Sequence, residues 1–185
     1  MLDLLGQKVK LIGLHGRAGS GKDFIASNCL RDYFKVALAN HFKIDIVRKH
    51  IFTYEEVFNT KPAHVRHRLQ QIGTEEGRDV YGENVWCDAL EAWMYQINKS
   101  NSIDKFVVAD LRFDNEAEWV KSLGGIVIKV ESDRGRSGMD ETALKHSSEQ
   151  GINETLIDHF VINNEGTDVD SLNWQLEKIK EFNNL

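Results

Sequence analysis

Between Leu11 and Ala26 the chain reads L-I-G-L-H-G-R-A-G-S-G-K-D-F-I-A, and Gly16, Gly21 and Lys22 fit the spacing G-x-x-x-x-G-K. Glycines at such a turn let successive backbone N–H groups point into one concavity. A helix starting at the lysine adds its N-terminus, and the ammonium adds a mobile positive charge. That combination suits a polyphosphate, so Gly16, Arg17, Ala18, Gly19, Ser20, Gly21, Lys22 and Asp23 are the expected nucleotide contacts. The apolar run Val9 to Leu14 before the turn supplies the strand, and Phe24, Ile25, Cys29, Leu30 and Phe34 after it supply an amphipathic helix. Asp23 stands where a Ser or Thr hydroxyl usually holds Mg²⁺. A carboxylate can take that place directly or through water, or can simply cap the helix. The missing hydroxyl argues against the switch GTPases.

A second acid, Asp110, closes the apolar run Phe106 to Ala109. At the edge of a sheet facing the loop it can reach Mg²⁺ through water, or act as a turn residue. Arg112 is two residues on and points the same way if the strand continues. Glu116 opens the next helix, either orienting Arg112 or capping. Arginines also gather at Arg66, Arg68 and Arg78 and at Arg134 and Arg136, within a chain of 185 residues and net charge −6. An acidic protein with clustered guanidinium groups suits small phosphorylated ligands and speaks against long nucleic-acid polymers.

The elements that must position these groups follow from periodicity. Val9 to Leu14, Lys35 to Ala39, Lys105 to Ala109, Gly125 to Val130 and His159 to Asn163 read as strands separated by helical stretches. Such alternation predicts an α/β, three-layer α/β/α fold with a parallel five-stranded sheet, the first strand at its centre. One domain spans 1–185, with core segments 8–41, 102–131 and 155–185. Segment 42–101 is a helical insertion (Tyr54 to Asn59, Ala63 to Gln71, Trp86 to Ile97) containing the only proline, Pro62. Segment 132–152, rich in Arg, Asp, Ser and Gly, forms a small lid. A final helix, Val169 to Phe182, puts Val169, Leu172, Leu176 and Ile179 on one stripe. Cys29 and Cys87 read as buried free thiols, and no run suits a leader or a membrane span, which places the protein in the cytoplasm.

A P-loop core with a helical insertion and a late arginine-bearing loop resembles the nucleoside monophosphate kinases. Arg66-His-Arg-Leu-Gln-Gln-Ile-Gly-Thr-Glu-Glu-Gly-Arg78 with Trp86, and Val107-Val-Ala-Asp-Leu-Arg-Phe-Asp-Asn-Glu116, are similar to signatures of the phage deoxynucleoside monophosphate kinases. His146-Ser-Ser-Glu149 and Val161-Ile-Asn-Asn-Glu-Gly-Thr167 resemble later elements, so the likeness runs from Lys10 to about Ile179. It implies the P-loop NTPase fold, ATP and Mg²⁺ as cofactors, and transfer of phosphate to a deoxynucleoside monophosphate for phage DNA-precursor supply. Partners would be small nucleotides, with no membrane and with homodimerisation open.

In that frame Lys22 follows the transferring phosphoryl, Asp23 and Asp110 serve the metal, and Asp110 can instead contact the acceptor. Arg112 bridges donor and acceptor, with Glu116 beside it. Arg66 and Arg78 suit the acceptor's phosphate, Gln70 the base edge, Trp86 the stack, and Lys43 the start of the acceptor segment, with Gly73 and Thr74 also on the acceptor side at a glycine break after the helix. The alternative is surface pairing of Arg66 and Arg78 with Glu75 and Glu76, with Trp86 in the core. Arg134 and Arg136 would neutralise the transferred group on lid closure or form a solvated loop, with His146 and Glu149 at the lid base. Asn163, Asn164 and Thr167 would lie near the adenine. The animal-type phosphomevalonate kinases also share G-K-D-F at Gly21 to Phe24, the Asp-x-Arg strand end and an S-E pair. A nucleotide switch with little turnover lacks support, since Asn59-Thr60-Lys61-Pro62 is not an N-K-x-D guanine reader.

Overall fold

The computed structural model describes residues 9–133 and 151–185. Five strands, β1 Lys10–His15, β2 Phe34–Val36, β3 Lys105–Leu111, β4 Ile126–Glu131 and β5 His159–Ile162, form one parallel sheet in the order β2-β3-β1-β4-β5. The first strand is central, as its sequence predicts, and its carboxyl end delivers the glycine-rich turn to the edge where such sheets bind ligands.

The strands are apolar on both faces because both are covered. Leu11, Phe106, Val108 and Val127 pack under α4 (Val85–Asn101) and α5 (Asp114–Ser122) through Leu90, Met94 and Val120. Ile12, Leu14, Val107 and Ile128 pack on the other face against α1 (Lys22–Asn28) and α6 (Val169–Asn183) through Ile25, Leu172 and Leu176. Each fully buried Leu or Ile contributes roughly 1.5–3 kcal/mol. A third apolar cluster, Ile46, Val57, Val65 and Leu69, lies within the chain between β2 and β3, where α2 (Asn40–Arg48) and α3 (Ala63–Gly73) meet.

Three boundaries depart from the periodicity, each for a long-range reason. β2 stops at Val36 because the next amides turn away from the ladder: Leu38 and Ala39 donate to the two carboxylate oxygens of Asp110 at 2.9 and 3.0 Å. α1 ends at Asn28, where the Cys29 and Leu30 amides both return to the Ile25 carbonyl, and Phe34 joins β2 edge-on to Phe106. α3 runs past Gln71 to Gly73. The chain continues through a widened turn, Thr74–Arg78, in which a Cβ on Gly77 would lie 2.4 Å from the Trp86 ring. At the far end Val169 is exposed rather than part of the α6 stripe. Cys87 is buried and Cys29 half-buried, both free thiols. Among the described residues no helix is long and apolar enough to cross a membrane.

Candidate active site

The turn after β1 owes its shape to three glycines with positive φ: Gly16 at +149°, Gly19 at +81° and Gly21 at +92°. Gly21 is further constrained, since a Cβ there would meet the Asn163 side-chain nitrogen at 2.3 Å. Asn163, 2% exposed, donates from Nδ2 to the Ser20 carbonyl at 2.8 Å, and its own N–H donates to Glu131 O. The ends of β4 and β5 thereby hold the loop open. Within it the buried Ser20 hydroxyl has no hydrogen-bond partner among the described residues, which fits a loop built to receive oxygens it does not itself supply. The Lys22 ammonium curls back to donate to the Gly16 and Arg17 carbonyls at 2.5 and 2.8 Å. Beside the loop, at the carboxyl ends of β1, β3 and β4, lies a cavity of about 630 Å³ whose walls include Gly16, Arg17, Ser20, Arg112, Lys129 and Asn164.

A second group of charges involves Asp23, Lys35, Asp110 and Lys43. Asp23 pairs with Lys35 on β2 at 2.7 Å. Partial desolvation raises the carboxyl's pKa, but the Lys35 hydrogen bond and the charges of Lys35, Lys61 and Lys22 outweigh that and hold it below its ordinary value, although the side chain remains largely exposed. Asp110 spends both oxygens on the start of α2, which fixes the helix that carries Lys43. Burial lowers the Lys43 pKa; Asp110 and Asp23 oppose the shift, while Lys61 and Arg112 reinforce it. One lysine thus feels Asp23, Asp110 and Arg112 together, although these residues are widely separated in the chain. Among the described residues no cluster of three metal-binding side chains occurs.

The arginine of the helical signature is buried rather than paired with Glu75 or Glu76 on the surface. Arg78 is 9% exposed, lies 3.9 Å over the Phe113 ring and donates to Glu83 O at 2.9 Å and Asn115 Oδ1 at 2.8 Å. Its guanidinium is 3.5 Å from Glu116, whose other oxygen accepts from the Arg112 and Phe113 amides at 2.6 and 3.1 Å. Glu116 therefore does both jobs its position suggested: it caps α5 and braces the backbone that carries Arg112. The partner of Glu76 is Arg68 instead. Arg66 and Gln70 are half-buried on α3, and the Arg66 Nε is buried with no hydrogen-bond partner among the described residues. Trp86 donates to the Gly73 carbonyl at 2.8 Å and packs its ring against Phe42, so it is held by its own neighbours. Thr74 begins the widened turn. Asn164 and Thr167 share one turn, in which Asn164 Oδ1 also accepts from Asp133 N. Arg134, Arg136, His146 and Glu149 lie outside the described residues.

Burial pushes the Glu116 carboxyl up to about 7; Asp110 adds to the shift, while the two amides and Arg78 oppose it. Such a group binds more protons folded than unfolded between its two pKa values. Its stabilisation is present below the unfolded value and is lost as pH rises through about 7. Glu116→Gln should remove that dependence, so its melting temperature relative to the parent should rise from pH 5 to pH 8. Parallel melting curves with a constant offset would refute this.

Sequence reasoning overlooked His15, Lys35 and the clasp made by Asn163. His15 ends β1, buried, with Nδ1 3.1 Å from the Leu111 carbonyl, so Nδ1 carries the proton. Burial lowers its pKa, the Leu111 contact opposes this, and Lys22, Lys129 and Arg112 add to the lowering; the imidazole stands on the cavity wall. Nothing local in the sequence marks these three, because each works through a partner far along the chain.

A parallel sheet with a central strand feeding a glycine-rich loop, a lysine over that loop and acids and arginines at the neighbouring strand end define a P-loop phosphotransferase. The family profile for deoxynucleotide monophosphate kinase matches residues 32–175, and the chain belongs to that family. A protein of Acanthamoeba polyphaga mimivirus, provisionally named a deoxynucleotide monophosphate kinase, is 28% identical over 159 residues, covering 75% of this chain and 80% of its own. Two solved structures share the fold. Dephospho-CoA kinase from Campylobacter jejuni has TM-score 0.51 and 13% identity, covering 96% of this chain and 98% of its own. TT1252 from Thermus thermophilus has TM-score 0.50 and 19% identity, covering 95% and 98%.

Proposed function

We propose that this enzyme transfers the γ-phosphoryl group of ATP to the 5′-phosphate of a deoxynucleoside monophosphate, giving ADP and the diphosphate. The observation that carries the reading is the loop after β1, whose three positive-φ glycines, buried Ser20 hydroxyl and Lys22 suit a polyphosphate, in a chain of the deoxynucleotide monophosphate kinase family. One face of the cleft suits the donor's phosphates, and the other offers cations for a second anion. In the transfer, the bond from the γ-phosphorus to the ADP oxygen breaks as one to an acceptor phosphate oxygen forms. That oxygen is already ionised near neutral pH, so no general base is needed and catalysis rests on alignment and charge.

Lys22 would leave the Gly16 and Arg17 carbonyls for the phosphate oxygens. Arg112 would bridge donor and acceptor, and Arg66 and Arg78 would serve the acceptor side. We assign Arg134 and Arg136, on the lid segment, to the transferred group. Mg²⁺ keeps several waters and takes only one or two carboxylates besides substrate phosphates, so the lack of a dense acidic cluster among the described residues is compatible with it. Asp23 and Asp110 would hold the ion, largely through water, where it would neutralise charge on the phosphates. A viral relative and the likeness to phage enzymes support a role in DNA-precursor supply.

The test is an acceptor panel of deoxy- and ribonucleoside monophosphates and phosphomevalonate, with ATP and Mg²⁺. Turnover of deoxynucleotides with none on phosphomevalonate is expected. Turnover of phosphomevalonate alone would move the enzyme to the other branch.

A further inference from the structure

The clasp between Asn163 and the phosphate loop fixes more than the loop's place. The Asn163 backbone N–H donates to Glu131 O at 2.8 Å, which ties the residue to the joint of β4 and β5. Its side-chain Nδ2 donates to Ser20 O at 2.8 Å, and both residues are buried. The Ser20 N–H is held as well, donating to Arg17 O at 3.1 Å. The same Asn163 nitrogen lies so close to Gly21 that a Cβ there has no room. Ser20 and Gly21 are thus locked between their own loop and the end of β5.

A trans peptide points its C=O and its N–H in opposite directions. With Ser20 O turned to Asn163, the N–H of the same peptide, which belongs to Gly21, faces the side away from Asn163. Among the described residues neither that N–H nor the N–H of Gly19 has a hydrogen-bonded partner. Unpaired backbone donors in a glycine-rich turn suit the oxygens of an anion. Among the described residues Ser20 O accepts from Asn163 and from no other residue, so the aim of the Gly21 N–H depends on this one side chain.

We propose that Asn163 is a positioning residue for the donor's phosphates. Its carboxamide aims the Gly21 N–H into the phosphate loop and so sets the enzyme's affinity for the polyphosphate, leaving its affinity for the acceptor untouched. The requirement is chemical. A carbonyl only accepts, so position 163 must donate; aspartate has nearly the same shape, but as a carboxylate it sets two acceptors face to face. This rests on the phosphate-loop half of the reading above and is independent of which monoester receives the phosphoryl group.

Calorimetric titration with tripolyphosphate and with ADP, each with Mg²⁺, reads the effect without turnover. At pH 8 Asn163→Ala and Asn163→Asp should bind both at least about tenfold more weakly than the parent, as misaligned loop donors should. In steady state KM for ATP should rise by a similar factor while KM for the deoxynucleotide stays within about twofold. Protonation restores a donor to the aspartate, so the deficit of Asn163→Asp relative to the parent should shrink from pH 8 to pH 5, and that of Asn163→Ala should not. Melting curves confirm that each protein is folded at the titration temperature, and the pH series on Asn163→Asp decides the matter should Asn163→Ala fail to fold. Parent-like tripolyphosphate affinity in Asn163→Ala, equal losses for donor and acceptor, or a deficit in Asn163→Asp that pH leaves unchanged would each overturn the proposal. A parent that binds tripolyphosphate but phosphorylates no deoxynucleotide would end the functional reading alone, with the variants' affinities still deciding the role of Asn163. A parent that binds neither ligand would end both.

Discussion

Lys22→Ala should lose phosphoryl transfer by at least about a hundredfold and yet fold like the parent. The magnitude follows from removing a preorganised cation aimed at developing charge, for which single-donor deletions in other enzymes cost about 10²–10³. The fold should survive because the ammonium's described partners are the Gly16 and Arg17 carbonyls of its own loop. The loop is held by the Asn163 clasp and the three positive-φ glycines, which the substitution leaves in place. Steady-state rates with ATP and a deoxynucleotide, alongside circular dichroism melts, read both quantities. Residual activity within a few fold of the parent would mean that the lysine does not touch the reacting phosphates.

Arg78→Ala should act first on stability, lowering it at pH 8, where Glu116 is mostly ionised, by about 3–5 kcal/mol, the range for removing one partner of a buried ion pair. The loss has identifiable parts. Glu116 is left buried without its cation, the Glu83 carbonyl and the Asn115 amide oxygen each lose a donor, and Phe113 loses the guanidinium over its ring. Glu116 also braces the Arg112 and Phe113 amides, so the disturbance passes to the end of β3. Urea denaturation measures the stability term. Acceptor KM, determined well below the variant's melting point, separates a direct phosphate contact from mere support. A destabilisation under 1 kcal/mol would show that the pair is solvated.

These two residues mark what the sequence can and cannot reveal. The spacing of Gly16, Gly21 and Lys22, with an apolar run before it, suffices to place a phosphate loop after a strand, because the positive-φ glycines and the helix start at Lys22 are local features, whereas the Asn163 clasp is not. The α/β alternation is equally legible, since each strand's apolar content records its own burial. Arg78 was equally conspicuous, but its partner Glu116 belongs to another helix, and no periodicity links the two. Asp110 read as a strand-end acid facing the loop; that its oxygens would also end β2 and start α2 depends on the fold bringing residues 38 and 39 beside it. Trp86 left two readings open, and its bond to Gly73 with its packing on Phe42 and Gly77 shows why a ring flanked by glycines need not await a ligand.

The central claim is that two phosphate-bearing molecules are brought end to end in this cleft. Supplying ATP labelled in its γ-phosphate with a deoxynucleoside monophosphate, and resolving the products, tests it most directly. The account predicts the label in the β-phosphate of the deoxynucleoside diphosphate, matched by ADP one for one. Label recovered only as inorganic phosphate, or left in ATP across every deoxynucleotide, would contradict it.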